Sequence, residues 1–317
     1  VQVTISPEYQ NRFRHALDRL GVGGNDRLLL AVSGGPDSMA LMLLATLWAP
    51  ERICAATVDH RLRAESADEA SYVSEVCKRL GVPHMTLAPS EQISGNVQSS
   101  ARAARYTLLA EAADQCGCSL IATAHHADDQ LETLLMRLAR GSGVSGMAGI
   151  RAQNGRIIRP LLDFRKSELE DICKAAAVQP IRDLSNDNAD FDRVAMRQWL
   201  ERSDVPFDQF ASNRTASALA DAAMALDWMT KSLAEQRITS DKDSIRLDSK
   251  DLPKEIQRRL LLLALQQIRP AIAPRGEAIE RLVTELKASK TATIGDILCQ
   301  GGDTWLFTPA PPRRNHS

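Results

Sequence analysis

Six consecutive residues, Ser33-Gly34-Gly35-Pro36-Asp37-Ser38, have the types that hold a phosphate. Gly34 and Gly35 reach backbone angles closed to other residues and let a ligand approach the main chain, so their N–H groups can point at phosphate oxygens. Pro36 and Asp37 start a helix whose free N–H groups and positive dipole end favour an anion. Ser33 and Ser38 add hydroxyl donors, and Asp37 offers the hard oxygen that a phosphate-bridging magnesium takes. An ordinary glycine turn before a helix would use some of these residues. The full set, placed after the apolar run 28–32 that reads as a strand buried on both faces, points to a nucleotide. No lysine follows the second glycine, so the machinery of γ-phosphate transfer is not apparent.

A second group follows the apolar run 120–124: His125-His126-Ala127-Asp128-Asp129-Gln130-Leu131-Glu132-Thr133. On a helix, Leu131, Leu134, Leu135 and Leu138 form a stripe expected to be buried. Asp128, Asp129 and Glu132, three and four apart, gather on the first turns away from it. One acid there would be helix-dipole compensation, whereas three behind two histidines predict a cation site, for magnesium or for an ammonium group. His125 and His126 suit capping or packing as well as base catalysis. His60 ends another strand run at the same sheet edge, where its imidazole either contacts a nucleotide base or is a satisfied surface group. Arg102 and Arg105 share one helical face, which is either solvated or placed to neutralise charge developing on a phosphate.

The elements that must position these groups are read from periodicity. Short β-type runs at 27–32, 53–58, 84–88 and 119–124 alternate with helical patterns at 38–48, 65–80, 96–116 and 128–140. That alternation predicts an α/β fold with a doubly wound parallel sheet, whose ligands bind at the carboxyl ends of the strands. A glycine-rich, basic connection at 140–156 leads to an extended run at 157–162 and a helix at 166–177. The alternation stops near residue 207, which divides the chain into a catalytic domain (1–207), a smaller, mainly helical domain (208–308) and a disordered tail (309–317). In the second domain, helices at 216–236, 252–268 and 275–288 precede a β-like close at 291–298 and 304–308, joined by Gly301-Gly302-Asp303.

Composition narrows the class. Hydrophobic residues at 44% and charged residues at 25% are ordinary for a folded globular chain and exclude disorder. No apolar run is long enough to cross a bilayer and no basic segment leads into an apolar one, so a cytoplasmic protein without a membrane partner is expected. The six cysteines are scattered, with Cys116 and Cys118 as the one close pair, so buried thiols are expected rather than a disulfide scaffold or a zinc or iron–sulfur site. A net charge of -1 leaves a nucleic-acid partner to local argument. Residues 137–167 supply it, with Arg137, Arg140, Arg151, Arg156, Arg159, Arg165 and Lys166 against the single acid Asp163.

The loop at 33–38 resembles the SGG-x-DS pyrophosphate loop of the PP-loop ATPases, which implies cleavage between the α and β phosphates of ATP. Across roughly the first 200 residues, the motifs in order are similar to those of the tRNA(Ile)-lysidine synthetases. These are Asp59-His60-Arg61-Leu62-Arg63, Ala101-Arg102-Ala103-Ala104-Arg105-Tyr106, the His125-His126 to Thr133 stretch, 137–143, Arg159-Pro160-Leu161-Leu162, and 183–197. Arg61 departs from a usual glycine, and Ala195 from a common basic residue.

The resemblance implies that ATP, with Mg2+, adenylates the C2 carbonyl oxygen of the wobble cytidine of a tRNA(Ile) bearing a CAU anticodon. Free L-lysine then displaces AMP through its ε-amine. It further implies Asp37 and Asp128 for the metal, with Asp128, Asp129 and Glu132 shared between metal and lysine. The nucleotide would lie against 33–38, His60 and His125, and Arg102 and Arg105 would face phosphate or tRNA. The basic segment would take the anticodon arm. A homodimer is left open, and no further C-terminal domain is expected. The rivals are a tRNA thiolase, which commonly carries paired CxxC motifs that this chain lacks; an amide-forming synthetase, for which no glutaminase domain is evident; and a non-catalytic nucleotide- or RNA-binding module, which would not need the acidic cluster.

Overall fold

The computed structural model describes residues 5–59, 66–89, 97–181, 192–203 and 207–311. They fall into two compact units, Val1–Ala220 and Asp221–Ser317.

The first unit opens with α1 (Pro7–Arg19), started by Pro7 and capped by Ser6, whose Oγ accepts from Glu8 N. Strand β1 (Leu28–Ala31) is buried along its whole length, as an unbroken apolar run requires of a central parallel strand. Then come α2 (Pro36–Trp48), β2 (Ile53–Val58), α3 (Ser66–Leu80), β3 (His84–Leu87), α4 (Val97–Gln115), β4 (Leu120–Ala122) and α5 (Ala127–Ala139). The unit continues with α6 (Val144–Met147), β5 (Gln153–Asn154), β6 (Ile157–Ile158), α7 (Lys166–Ala175) and α8 (Asp192–Arg202).

The sheet order is β3-β2-β1-β4-β6-β5, parallel except where β5 pairs antiparallel with β6. The expected doubly wound sheet is therefore present, with a short antiparallel edge. β1 lies between β2 and β4, registering Leu30 with both Ala55 and Ala122. The chain leaves β1 toward one side of the sheet and returns through β4 on the other, so a topological switch point lies at their carboxyl ends. Residues 33–37 and 125–129 are the segments that follow those two ends. Helix α2 is buried from Ser38 through Ala45 and packs between the sheet and α7, which holds the loop before it rigidly in place.

Helix α9 (Gln209–Arg237) contains the division between the units, which falls inside this helix rather than at residue 207. The second unit continues with β7 (Ile238–Asp241), β8 (Ser244–Asp248), α10 (Lys254–Ile268), α11 (Gly276–Lys287), β9 (Thr291–Ile294), β10 (Ile297–Gln300) and β11 (Thr304–Pro309). The predicted helices are there, and so is a five-stranded antiparallel sheet, β7-β8-β11-β10-β9, larger than the expected β-like close. Its extra hairpin, β7–β8, is carried by the period-2 burial of Ile245 and Leu247 on either side of exposed Arg246. The run predicted at 291–298 divides into β9 and β10 because Gly295 takes φ +59° in a tight turn. Pro309 ends β11 and Ala310 N donates to Asp296 O, so the expected tail begins as part of the sheet; residues 312–317 lie outside the described residues.

Candidate active site

Within the loop after β1, Gly34 has φ +89°, and a Cβ there would stand 2.6 Å from Ile181 Cδ1. Ile181 N also donates to Gly34 O at 3.0 Å. The positive φ therefore calls for glycine at this position, and an added Cβ would also displace the end of the Ile181 side chain. Gly35, with φ -69°, is the residue before α2, and no side chain caps the helix there. Ser38 Oγ accepts from Ser33 N at 3.1 Å and donates to Gly35 O at 3.0 Å, so the two serines close the loop on itself. The loop thus presents the uncapped N-terminus of a buried helix, a ready site for an anion.

The second group meets it at the switch point. His126, 2% exposed, is the N-cap residue of α5, and its backbone N–H donates to Asp129 Oδ2 at 3.1 Å. Its Nε2 lies 3.6 Å from Asp37 Oδ2 and 3.5 Å from Asp129 Oδ2, and its Nδ1 lies 3.5 Å from Asp128 Oδ2. Burial alone would push this imidazole down; the hydrogen bonds to Asp128 and Asp37, with the charge of Asp129, outweigh it and raise the pKa to about 10. Nδ1 is also 3.4 Å from Asp129 N, but in an imidazolium both ring nitrogens donate, so the interaction with Asp128 prevails. Burial raises the Asp128 carboxyl, yet His126 and the Lys166 N–H, 2.8 Å from Oδ2, bring it below the usual carboxylate range. Asp37 Oδ1 is buried without a hydrogen-bond partner among the described residues.

The expected trio of acids is divided. Asp128 and Asp129 gather on His126 with Asp37, whereas Glu132 faces α8. Its two oxygens accept from Arg197 Nε at 2.8 Å and Arg197 Nη2 at 3.2 Å, and Arg193 Nε lies 3.5 Å away. Among the described residues, no group of three or more His, Cys, Asp or Glu is arranged to hold a metal by itself.

Neighbouring Gln130 clamps the glycine-rich connection: Oε1 accepts from Ile150 N at 2.7 Å and Nε2 donates to Ile150 O at 2.9 Å. Leu131 and Leu134 are buried as predicted, but Leu138 is 65% exposed, because α5 has by then run past the core.

His125 Nδ1 is 3.0 Å from Thr123 Oγ1, and burial lowers its pKa to about 4, leaving a neutral imidazole. His60 lies outside the described residues. Arg102 is exposed and lies 5.2 Å over the Tyr106 ring, while half-buried Arg105 is pushed down by burial and has no acidic partner among the described residues. The basic segment separates in the same way. Arg156 is held by Asp114 at 2.7 Å and by two carbonyls, and buried Arg159 donates to Arg151 O at 2.6 Å. Arg137, Arg140 and Arg165 face solvent.

Sequence reasoning identified the loop and the acids but not Arg193 and Arg197, which partner Glu132, nor His126 as the residue on which the acids converge. An arginine in a polar helix gives no signal of its partner, while a histidine directly before an acidic first turn is a legible capping position.

A cleft of about 850 Å³ beside α1 and α7, lined by Arg12, Arg19, Asp163, Glu168 and Phe210 among others, contains none of these residues. Its charges are largely matched, Arg12 with Glu168 and Arg19 with Asp163.

Comparison with known proteins places the site in context. A family model described as a PP-loop domain matches residues 5–203. The tRNA(Ile)-lysidine synthase of Zymomonas mobilis is 40% identical over 297 residues, covering 91% of this chain and 90% of the relative. That of Novosphingobium aromaticivorans is 39% identical over 314 residues, covering 96% and 95%. The solved U34-tRNA thiolase NcsA from Methanococcus maripaludis, with its [4Fe-4S] cluster, superposes with a TM-score of 0.55 at 16% identity, over 68% of this chain and 78% of that one. That likeness is one of fold.

Proposed function

The chain belongs to the tRNA(Ile)-lysidine synthases, and from that membership we propose how its own residues divide the reaction. The enzyme is an ATP-dependent ligase that adenylates the wobble cytidine of tRNA(Ile) and forms lysidine there. The cytidine carbonyl oxygen attacks the α-phosphorus and pyrophosphate leaves; the ε-amine of L-lysine then attacks C2 and AMP leaves. The carbonyl oxygen is a poor leaving group until it carries AMP, which is what ATP contributes.

The backbone N–H groups at the start of α2 and the hydroxyls of Ser33 and Ser38 hold the departing pyrophosphate. Asp37, with Asp128, holds magnesium. What supports this is the buried Asp37 Oδ1 that no donor among the described residues satisfies, an oxygen suited to a cation. A hard ion that takes most of its ligands from phosphate and water needs only one or two carboxylates, which fits the lack of a three-acid cage among the described residues. When bound, magnesium supplies charge neutralisation at the leaving group.

Asp129 receives the lysine amine and takes its proton. Asp128 is taken for the metal and both Glu132 oxygens are held by Arg197, whereas Asp129 keeps one oxygen without a partner among the described residues. The attacking amine must be neutral, so a carboxylate beside it both binds the ammonium and accepts the proton. Glu132 acts at one remove, by fixing Arg197. Neutral His125 lies toward the adenosine, and Arg102 and Arg105 toward phosphate; His60, outside the described residues, is assigned to the nucleotide by the family motif alone. Exposed Arg137, Arg140 and Arg165 take the anticodon arm through its backbone, with the cytidine presented unstacked.

The observation that carries this division is the meeting of Asp37 with Asp128 and Asp129 around one imidazole. The test mixes purified protein, ATP, labelled lysine and a tRNA(Ile) transcript, and follows label in RNA beside pyrophosphate release. Asp129→Asn is expected to retain pyrophosphate release while losing label. Loss of both together would move Asp129 to the adenylation step.

A further inference from the structure

Away from the site, three thiols collect on the sheet face that α4 covers. Cys54 is the second residue of β2, opposite Leu29 of β1, at the end of the strand remote from the active site. Cys116 and Cys118 follow α4 directly. Around them lie Leu109, Ala112, Ala113 and Ile121, with the Arg27 guanidinium beside the Cys118 thiol.

Cys54 Sγ and Cys116 Sγ are 2.8 Å apart. Non-bonded heavy atoms rest at roughly 3.5–4.0 Å, so these two side chains are held inside ordinary contact distance. Cys118 takes no part in that approach, since its Sγ lies 4.0 Å from the carbonyl oxygen of Cys116. A metal does not explain the cluster either, because no three such ligands are arranged to hold one among the described residues.

We propose that Cys54 and Cys116 are a modification site, a thiol pair that closes to a reversible disulfide when a peroxide reaches it. Cys116 is half-buried and meets the oxidant first, while Cys54 is buried. Cys116 thiolate attacks one peroxide oxygen, breaking the O–O bond to give a sulfenic acid and hydroxide. The Cys54 sulfur then attacks the sulfenic sulfur, and hydroxide leaves with the Cys54 proton as water. Two thiols are oxidised by two electrons and one peroxide is reduced to two waters. Burial and the neighbouring Cys116 raise the Cys54 thiol to about 12, which leaves the first attack to Cys116, while the 2.8 Å contact places the Cys54 sulfur to meet the sulfenic sulfur in the second. The bond would join the start of β2 to the end of α4, across 62 residues of sequence.

The test uses the full chain treated with hydrogen peroxide, alkylated, digested with trypsin without reductant and mapped by mass spectrometry. The six thiols should fall by two, and peptide 53–61 should appear joined to peptide 106–137, the pair separating again with dithiothreitol. Because peptide 106–137 contains both Cys116 and Cys118, the digest is repeated on Cys118→Ser, where the link should persist, and on Cys116→Ser, where it should vanish. Recovery of alkylated peptide 53–61 from the oxidised wild-type protein overturns the proposal, as does a link that survives Cys116→Ser or is lost in Cys118→Ser.

Discussion

Glu132 holds Arg197 with both carboxylate oxygens, at 2.8 and 3.2 Å, from a side chain only 3% exposed. The contact raises the guanidinium pKa further, with the Glu132 hydrogen bond as the largest cause. Breaking a buried pair from one side leaves an uncompensated charge, which costs about 3–5 kcal/mol in full burial. Arg197 is partly open to solvent, so Glu132→Gln is expected to cost about 2 kcal/mol in denaturant unfolding, at the upper end of ordinary single substitutions. A double-mutant cycle with Arg197→Gln should return a coupling of roughly 1–3 kcal/mol. A coupling near zero would mean that the two side chains do not depend on one another.

At Asp37 the charge is expected to matter for chemistry rather than for the fold. Its Oδ1 makes no hydrogen bond that folding would lose, and His126 keeps Asp128 and Asp129 when Asp37 is neutralised. Asp37→Asn should lower ATP-dependent pyrophosphate release by about 10²-fold or more while leaving tRNA affinity within about two-fold. A matching loss of tRNA binding would place Asp37 in the RNA contact.

The positions of these groups were legible because each lies directly after a buried strand, where glycines or acids interrupt an apolar pattern. Gly34 and Asp37 follow β1, and Asp128 follows β4. Their convergence was implied by the family resemblance, which set Asp37 and Asp128 on one metal, rather than by any local pattern, because it depends on β4 lying beside β1 although two strands separate them in sequence. The partnering of Glu132 with Arg197 was hidden for the same reason, the two residues being 65 apart. Hairpin β7–β8 was missed for a different one: its strands are short and flank a charged turn, so the apolar signal rests on Ile245 and Leu247.

Gly149 gives a prediction about the glycine-rich connection. It has φ +61°, and a Cβ there would run into Gln130 Oε1, which is bonded to Ile150 N. Gly141 has φ +62° with nothing within 4 Å of an added Cβ. Gly141→Ala should therefore cost only backbone strain, about 1 kcal/mol, whereas Gly149→Ala should cost about 2–3 kcal/mol by also breaking the Gln130 clamp. Thermal unfolding ranks the two, and limited proteolysis within 141–155 should accelerate only for Gly149→Ala.

In the second unit, Glu255 accepts from Arg258 and Arg259, and these bonds lower its pKa from 4.5 to about 2. A carboxyl depressed by folding contributes stability that is complete above its unfolded pKa and disappears as pH falls through the folded one. The wild-type advantage over Glu255→Gln should thus be constant above about pH 5 and shrink between pH 4.5 and 2. Glu255 and Arg258 are partly open to solvent, so screening keeps the effect small, and it should weaken further in high salt. Melting curves of the two proteins across that range measure it; a difference that grows on acidification would contradict the assigned contacts.

Among the basic residues at 137–167, Arg156 can be told apart from the exposed arginines at the end of α5. Arg156 is tied to Asp114 and to the carbonyls of Cys118 and Ser119, whereas Arg137 and Arg140 face solvent at the end of α5. Each phosphate contact contributes roughly 0.7–0.9 to the slope of log affinity against log salt. Replacing Arg137 and Arg140 by Gln should therefore weaken tRNA binding and reduce that slope by about 1.5. Arg156→Gln should do the reverse, lowering stability by about 1 kcal/mol through its lost hydrogen bonds while the slope stays as it was. Filter binding of a tRNA(Ile) transcript at several salt concentrations, beside melting of the same variants, distinguishes the two. An unchanged slope in the double variant would move the RNA contact off this end of α5.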